Sequence, residues 1–187
     1  MVHGDRCGMI LIIQINNIPF HYYEFVKPIE DIIKQTTIPF TSLHYKEITP
    51  TLLGHADKII IAGTSLKDNT YLQDVESFKW ITRFSNPILG ICGGMQLLAT
   101  VHGEVVETGQ EIGLQTITYH KPFLGEKEDQ EVYALHNNYV QPQMFAILAS
   151  SENYPQVIQH PTKPFYGVLF HPEVRNKQMI TQFIKSQ

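Results

Sequence analysis

Four short apolar runs punctuate the first half of the chain, each the length of a strand rather than a helix. Met9-Ile-Leu-Ile-Ile-Gln-Ile15 is continuous and rich in β-branched residues, which predicts a strand covered on both faces. Ile38–Tyr45, Lys58–Ala62 and the run Pro87–Ile91 predict three more. Between them lie segments of longer period. His21–Gln35 carries Tyr22, Phe25, Ile29, Ile32 and Ile33 near helical spacing, with Pro28 kinking or restarting the helix. Pro50–Gly54 suits a single helical turn. Tyr71–Phe84 has apolar residues at 72, 75, 78, 81 and 84, which predicts a helix with a buried stripe, ended by Asn86-Pro87. Strand and helix alternate, so this half predicts a parallel sheet with helices on both faces.

The second half changes character. Leu114–His120, Glu131–Val140, Phe145–Ser150, Val157–His160 and Phe165–Phe170 read as strands joined by short turns. Lys121–Gln130 is polar and charged, an exposed hairpin or mobile loop, and Asn176–Lys185 reads as a closing helix. The expected fold is a doubly wound, mostly parallel α/β sheet flanked by helices, with extra antiparallel strands in its second half. Neither an internal repeat nor a domain linker interrupts it. The organisation is therefore a tail over residues 1–8 and one domain over 9–187.

Composition narrows the function classes. The 187 residues are 43% hydrophobic and 17% charged with net charge −4, which offers no general basic surface to nucleic acid. Met9–Ile15 is the longest apolar run, too short to span a bilayer. Residues 1–8 lack the features of a signal peptide, and only Cys7 and Cys92 occur, so a disulfide framework is not expected and the cytoplasm is the default compartment. The nine histidines show no paired ligand spacing, which argues against a metal site. No phosphate-binding loop and no dinucleotide fingerprint appear, so no cofactor is expected.

Chemistry concentrates at two places. In Gly90-Ile-Cys92-Gly93-Gly94-Met-Gln96 a buried strand meets a cysteine flanked by glycines, and an amphipathic pattern follows. That is the form of a sharp strand-to-helix turn with a nucleophile at its tip. The start of the helix favours negative charge on the sulfur. A cysteine nucleophile needs a base and the base an orienting group. Phe170-His171-Pro172-Glu173 supplies both at the end of an apolar strand, because residues two apart in extended chain project to one side. A structural cysteine and an exposed His-Pro-Glu turn are the alternatives if each motif stands alone.

Together the two motifs resemble a class I (triad) glutamine amidotransferase domain over nearly the whole chain, most similar to the free-standing amidotransferase subunit of archaeal GMP synthase. The resemblance implies a flavodoxin-like core, a Cys92–His171–Glu173 triad, and glutamine hydrolysis to glutamate and ammonia through a γ-glutamyl thioester. It implies an oxyanion hole from the amides of Gly63 and Gly93, with Ala62 and Thr64 where the family loop usually has glycine and proline. Gln96 matches a residue that helps bind glutamine. His136, Asn137 and Asn138 match a strand whose backbone grips the substrate's amino and carboxylate groups. Without room for a nucleotide-activating domain, delivery of ammonia implies a separate ATP-dependent synthetase subunit. Amidotransferase subunits for anthranilate, aminodeoxychorismate or imidazole glycerol phosphate synthesis, and a free-standing γ-glutamyl hydrolase, share the same motifs. A non-catalytic binding subunit is the third class.

Overall fold

Alternate residues of the first strand look to opposite sides, and the two hydrophobic cores follow from that. The computed structural model describes residues 9–186, so the tail over 1–8, with Cys7, lies outside the described residues. Strand β1 (Met9–Gln14) is flanked by β2 (Phe40–His44) and β3 (Ala56–Ile61), followed by β4 (Ile88–Ile91) and β9 (Phe165–Val168), all parallel. Ile10 and Ile12, with Ile60, Leu89 and Ile91, face helices α1 (Lys27–Ile33) and α5 (Lys177–Lys185) through Ile29, Ile33, Ile180 and Phe183. Leu11 and Ile13, with Ile59, Ile61 and Ile88, face α4 (Gly93–Val101) and the segment Tyr71–Ile81 on the other side.

The sheet continues antiparallel from β9 through β8 (Pro155–Gln159), β7 (Ala146–Ser150), β5 (Val106–Tyr119) and β6 (Gln130–Val140). The full order is β2-β1-β3-β4-β9-β8-β7-β5-β6, nine strands in one sheet. The parallel half and the antiparallel second half agree with the sequence reading. β5 begins eight residues earlier than Leu114, and its polar first half is held by pairing with β6 rather than by burial. The polar segment 121–130 is the β5–β6 connection up to residue 129, with Gln130 opening β6, and it is pinned by Phe123, which is buried and exchanges backbone hydrogen bonds with Glu126.

One predicted helix is corrected. The segment from Tyr71 to Phe84 is a short helix α3 (Thr70–Gln73), a break at Asp74, and a 3₁₀ helix over Val75–Arg83. Its apolar residues recur every third position, which is the 3₁₀ repeat of 3.0 residues and not the α-helical 3.6. Likewise His21–Gln35 divides at Lys27 into a π-helical turn (Tyr22–Val26) and α1, whose first turn carries Pro28. Helix α2 (Pro50–His55) is the expected short turn, capped by the Thr49 hydroxyl. The buried Lys58 ends α5: its ammonium donates to the Phe183 carbonyl at 2.7 Å and to the Ile184 and Ser186 carbonyls.

Helix α4 lies directly on the parallel strands. A Cβ on Gly90 would sit 2.4 Å from the Gly94 carbonyl oxygen, and one on Gly94 would sit 2.3 Å from that of Ile61. Both contacts are with backbone, which cannot step aside cheaply. Gly90→Ala is therefore expected to destabilise the chain by about 1–3 kcal/mol. The thermal midpoint should fall by about 2–4 °C for each kcal/mol, and an unchanged melting curve would contradict the close approach.

Candidate active site

β4 and α4 meet at Cys92, and the junction forces its backbone into an uncommon conformation. Cys92 has φ 48° and ψ −106°, and among the described residues only Leu124 is another non-glycine at positive φ. Such backbone costs on the order of 1–3 kcal/mol and persists only where the surroundings impose it. Here the Cys92 amide donates to the Val168 carbonyl of β9 at 2.7 Å, and the Cys92 carbonyl accepts from Gln96 of the first helical turn at 3.1 Å. The side chain is buried and its thiol donates to the Leu135 carbonyl of β6 at 3.6 Å.

The chain beyond β9 brings the second motif to the same place. The His171 amide donates to the Tyr133 carbonyl at 2.9 Å, tying this stretch to β6. Nδ1 of His171 donates to Oε1 of Glu173 at 2.7 Å, and both side chains are essentially inaccessible. Nε2 of His171 has no hydrogen-bond partner. Burial pushes the His171 imidazolium down, but the Glu173 carboxylate and the Cys92 sulfur outweigh it and hold it well above 6.5. Gly63 lies between the two motifs: a Cβ there would sit 2.7 Å from Cε1 of His171 and 3.4 Å from Cβ of Cys92. Thiol, imidazole and carboxylate thus meet in one buried place, from chain segments 79 residues apart, and only a residue without a side chain fits above them.

The remaining candidates form the wall and floor of the pocket. Gly93 opens α4 beside Cys92, where its amide belongs to the unpaired first turn. Gln96 is buried, its Oε1 accepting from the Tyr71 hydroxyl at 2.6 Å and its Nε2 donating to the Asn138 carbonyl at 3.0 Å. Burial and the neighbouring Cys92 and Asp68 push the Tyr71 phenol well up, so it remains a donor. Asn137 donates to the Leu66 carbonyl at 2.7 Å and Asn138 to Oδ1 of Asn69 at 3.1 Å, which draws the loop after β3 onto β6. Thr64 in that loop donates to Asp68, which also accepts from the Asn17 amide at 2.6 Å. The His136 ring turns away from the pocket, toward Gly109 and Glu111.

One small space adjoins the thiol and a larger one adjoins the imidazole and carboxylate. One, lined by Thr64, Leu66, Tyr71, Cys92, Gln96 and Asn137, has a volume of about 10 Å³, room for about one water. The other is an open cleft of about 640 Å³ beside His171 and Glu173, walled by Phe25, Leu66, Tyr133 and Leu135. Among the described residues no group of three or more His, Cys, Asp or Glu side chains is placed to hold a metal ion. Likewise, no helix of the described residues is long and apolar enough to cross a membrane.

Sequence reasoning found the residues that stand in local motifs. It missed Leu66 and Asn69, which bear on the site only where the loop after β3 meets β6, Tyr71, whose hydroxyl reaches Gln96 of α4, and Asp68, which fastens that loop through Thr64 and Asn17. It also missed Glu111, which lies in a polar stretch with no pattern to mark it.

A family model described as "Glutamine amidotransferase class-I" matches residues 21–187. GMP synthase (glutamine-hydrolyzing) of Francisella philomiragia is 33% identical over 141 residues, 71% of this chain and 27% of that protein. The enzyme of the same name from Lactobacillus acidophilus is 39% identical over 139 residues, 68% of this chain and 26% of that one. The chain therefore spans about a quarter of the length of these relatives. Among solved structures, a Thermoplasma acidophilum protein provisionally named as a GMP synthase subunit superposes with a TM-score of 0.82 at 23% identity. That alignment covers 95% of this chain and 92% of the other. A glutamine amidotransferase of Thermotoga maritima gives 0.73 at 22% identity, covering 97% and 82%. At such identities these likenesses show the fold.

The raised His171 has a consequence for stability. Its charged form is favoured by folding, so that contribution is complete below about 6.5 and is lost as the pH rises through the higher folded value. The thermal midpoint of the wild-type chain is expected to decline from neutral into alkaline pH. Glu173→Gln, which removes the main charge holding the imidazolium, is expected to flatten that decline. Equal slopes in the two proteins would place its source elsewhere.

Proposed function

The chain belongs to the class-I glutamine amidotransferase family, and on that premise we propose that it hydrolyses glutamine and passes the ammonia to a separate synthetase subunit. The observation that carries this reading is the buried meeting of the Cys92 thiol with the hydrogen-bonded His171–Glu173 pair. In the proposed reaction the Cys92 thiolate attacks the side-chain amide carbon of glutamine. The oxygen that gains charge lies between the amides of Gly63 and Gly93, and losing one such donor typically costs about 10²–10³ in rate. His171 gives its proton to the departing nitrogen, releasing ammonia and leaving a γ-glutamyl thioester. The now neutral imidazole takes a proton from water, which attacks the thioester and releases glutamate and the thiolate. Glu173 keeps Nδ1 of His171 protonated and the ring aimed throughout. Gln96 and the backbone of His136, Asn137 and Asn138 are assigned to gripping the substrate.

The GMP synthase names of the relatives favour a synthetase that aminates xanthosine monophosphate as the acceptor subunit. The mouth of the cleft beside His171 supports a docking partner: Ile18 and Val174 on its rim are about half exposed, and Phe20 and Tyr23 close by in the chain are more so. Ammonia leaving through that mouth would pass into whatever covers it.

The test is glutamate release by the purified chain, alone and then with a GMP synthetase subunit, ATP and xanthosine monophosphate. Stimulation by the partner is the expected result. Activity indifferent to the partner would favour a γ-glutamyl hydrolase or another acceptor. Cys92→Ser, nearly isosteric, is expected to lower turnover by about 10³ or more while keeping the melting curve. A diazoketone analogue of glutamine should label Cys92 and spare Cys7, as read by mass spectrometry of the peptides. Near-wild-type turnover in the variant would refute the nucleophile.

A further inference from the structure

The wall of the thiol pocket is the last strand of the sheet. β6 has one ladder neighbour, β5, yet it supplies the Tyr133, Leu135 and Asn138 carbonyls that receive His171, Cys92 and Gln96. Its pairing also breaks at the site. Thr108 faces Asn138 and Glu111 faces His136, so residues 109 and 110 of β5 stand opposite Asn137 alone. Such a bulge leaves the strand least held by backbone where position matters most.

Side chains close that gap. Nδ1 of His136 lies 3.1 Å from the Gly109 carbonyl oxygen inside the bulge, and Nε2 lies 3.3 Å from Oε2 of Glu111. Glu111 is anchored in turn: Ser151 donates to its Oε1 at 2.8 Å, and Gln156 of β8 donates to its Oε2 at 2.7 Å. The Tyr154 ring stands edge-on to His136 at 5.6 Å and fills the space where a Cβ of Gly109 would go. His136, Glu111 and Gln156 are all buried, and the thioester mechanism uses none of their side chains.

The arrangement also fixes a proton. Both ring nitrogens of His136 face oxygen acceptors, so an unprotonated Nε2 would set a lone pair against the carboxylate of Glu111. Burial pushes the His136 imidazolium down, the Gly109 and Glu111 bonds oppose this, and the positive charge of His171 adds to burial.

We propose that Glu111 and His136 are positioning residues, which pin the Leu135–Asn138 segment of β6 to β5 and β8 and thereby set the wall against which the thiol and glutamine are held. The role rests on the glutaminase reading above. Removing the pin lets the wall drift, and displacements of about 1 Å at such a site can cost about 10² in rate.

The test uses the full chain, with the synthetase subunit present and absent, and three variants: Glu111→Ala, Glu111→Asp and Glu111→Gln. Glutamine KM is expected to rise about tenfold in the Ala and Asp variants, more than kcat falls. Labelling of Cys92 by the diazoketone analogue of glutamine should slow to match, while alkylation by iodoacetamide, which needs no wall, stays within about twofold. Glu111→Gln is expected to restore KM, because its amide can donate to Nε2 while Gln156, whose Oε1 lacks a partner, turns over to accept. If Glu111→Ala does not fold, Glu111→Asp carries the comparison. KM and analogue labelling unchanged in the Asp variant, or both reagents slowing together, would overturn the positioning role. A wild-type chain inert to both glutamine and the analogue would overturn the glutaminase reading itself, and the role with it.

Discussion

The close seat of α4 on the parallel strands is the constraint from which the site follows. With the Gly94 carbonyl pressed over Gly90, and Gly94 over the Ile61 carbonyl, the chain must turn from strand to helix within one residue. That residue is Cys92, and the turn places it at positive φ. The same seat leaves the first amides of α4 beside the sulfur and sets Gly93 against side chains, where a Cβ would press on Ile15 at 2.9 Å and Tyr71 at 3.1 Å. The placing of a buried thiol at the carboxyl end of a parallel strand is thus bound up with how the core packs. The strain at Cys92 is held by apolar burial on both faces of β4.

The antiparallel half has a different task. β9 lies beside β4, but the chain beyond it crosses to β6, and the His171 amide bonds to Tyr133. Cys92 and His171 are therefore referenced to the same strand, through the Leu135 and Tyr133 carbonyls. An edge strand thus serves as the datum for both side chains, and its own anchorage runs through the buried His136 and Glu111.

What the sequence revealed divides along physical lines. The parallel strands were legible because strands buried on both faces must be continuously apolar, as residues 9–13 and 59–61 are. Cys92, His171 and Glu173 were legible because the nucleophile turn and the His-Pro-Glu motif need particular residues at fixed local spacing, although the His-Pro-Glu stretch expected to be extended is a turn, the Val174 amide donating to the His171 carbonyl at 3.2 Å. The 3₁₀ helix over Val75–Arg83 misled through its buried Phe78 and Ile81, which suit either helix type until the strict spacing of three is weighed. The first half of β5 was missed because Glu107, Thr108 and Gln110 are exposed and only the pairing with β6 makes them a strand. His136 was placed in the right strand through resemblance, but that its ring would turn to Glu111 depends on β5–β6 register, which no local spacing encodes.

The closed state of the small pocket can be given a rough energy. About 10 Å³ remains beside Cys92, room for about one water and for nothing larger while the loop after β3 lies on β6. Two side-chain hydrogen bonds hold that loop directly, Asn137 to Leu66 and Asn138 to Asn69. At about 0.5–1.5 kcal/mol net each, they make opening cost about 1–3 kcal/mol, which leaves an open form at roughly one to fifteen per cent. Apparent affinity for a ligand that needs the open pocket is multiplied by that same fraction, so a closed loop weakens binding without touching the thiol. Leu66 lies at the boundary: it lines both the small pocket and the cleft that opens outward beside His171. A partner bound over that cleft would touch the same loop, and a preference of about tenfold for the open form would raise an open fraction of about one per cent to about nine, and one of about fifteen per cent to about sixty-four.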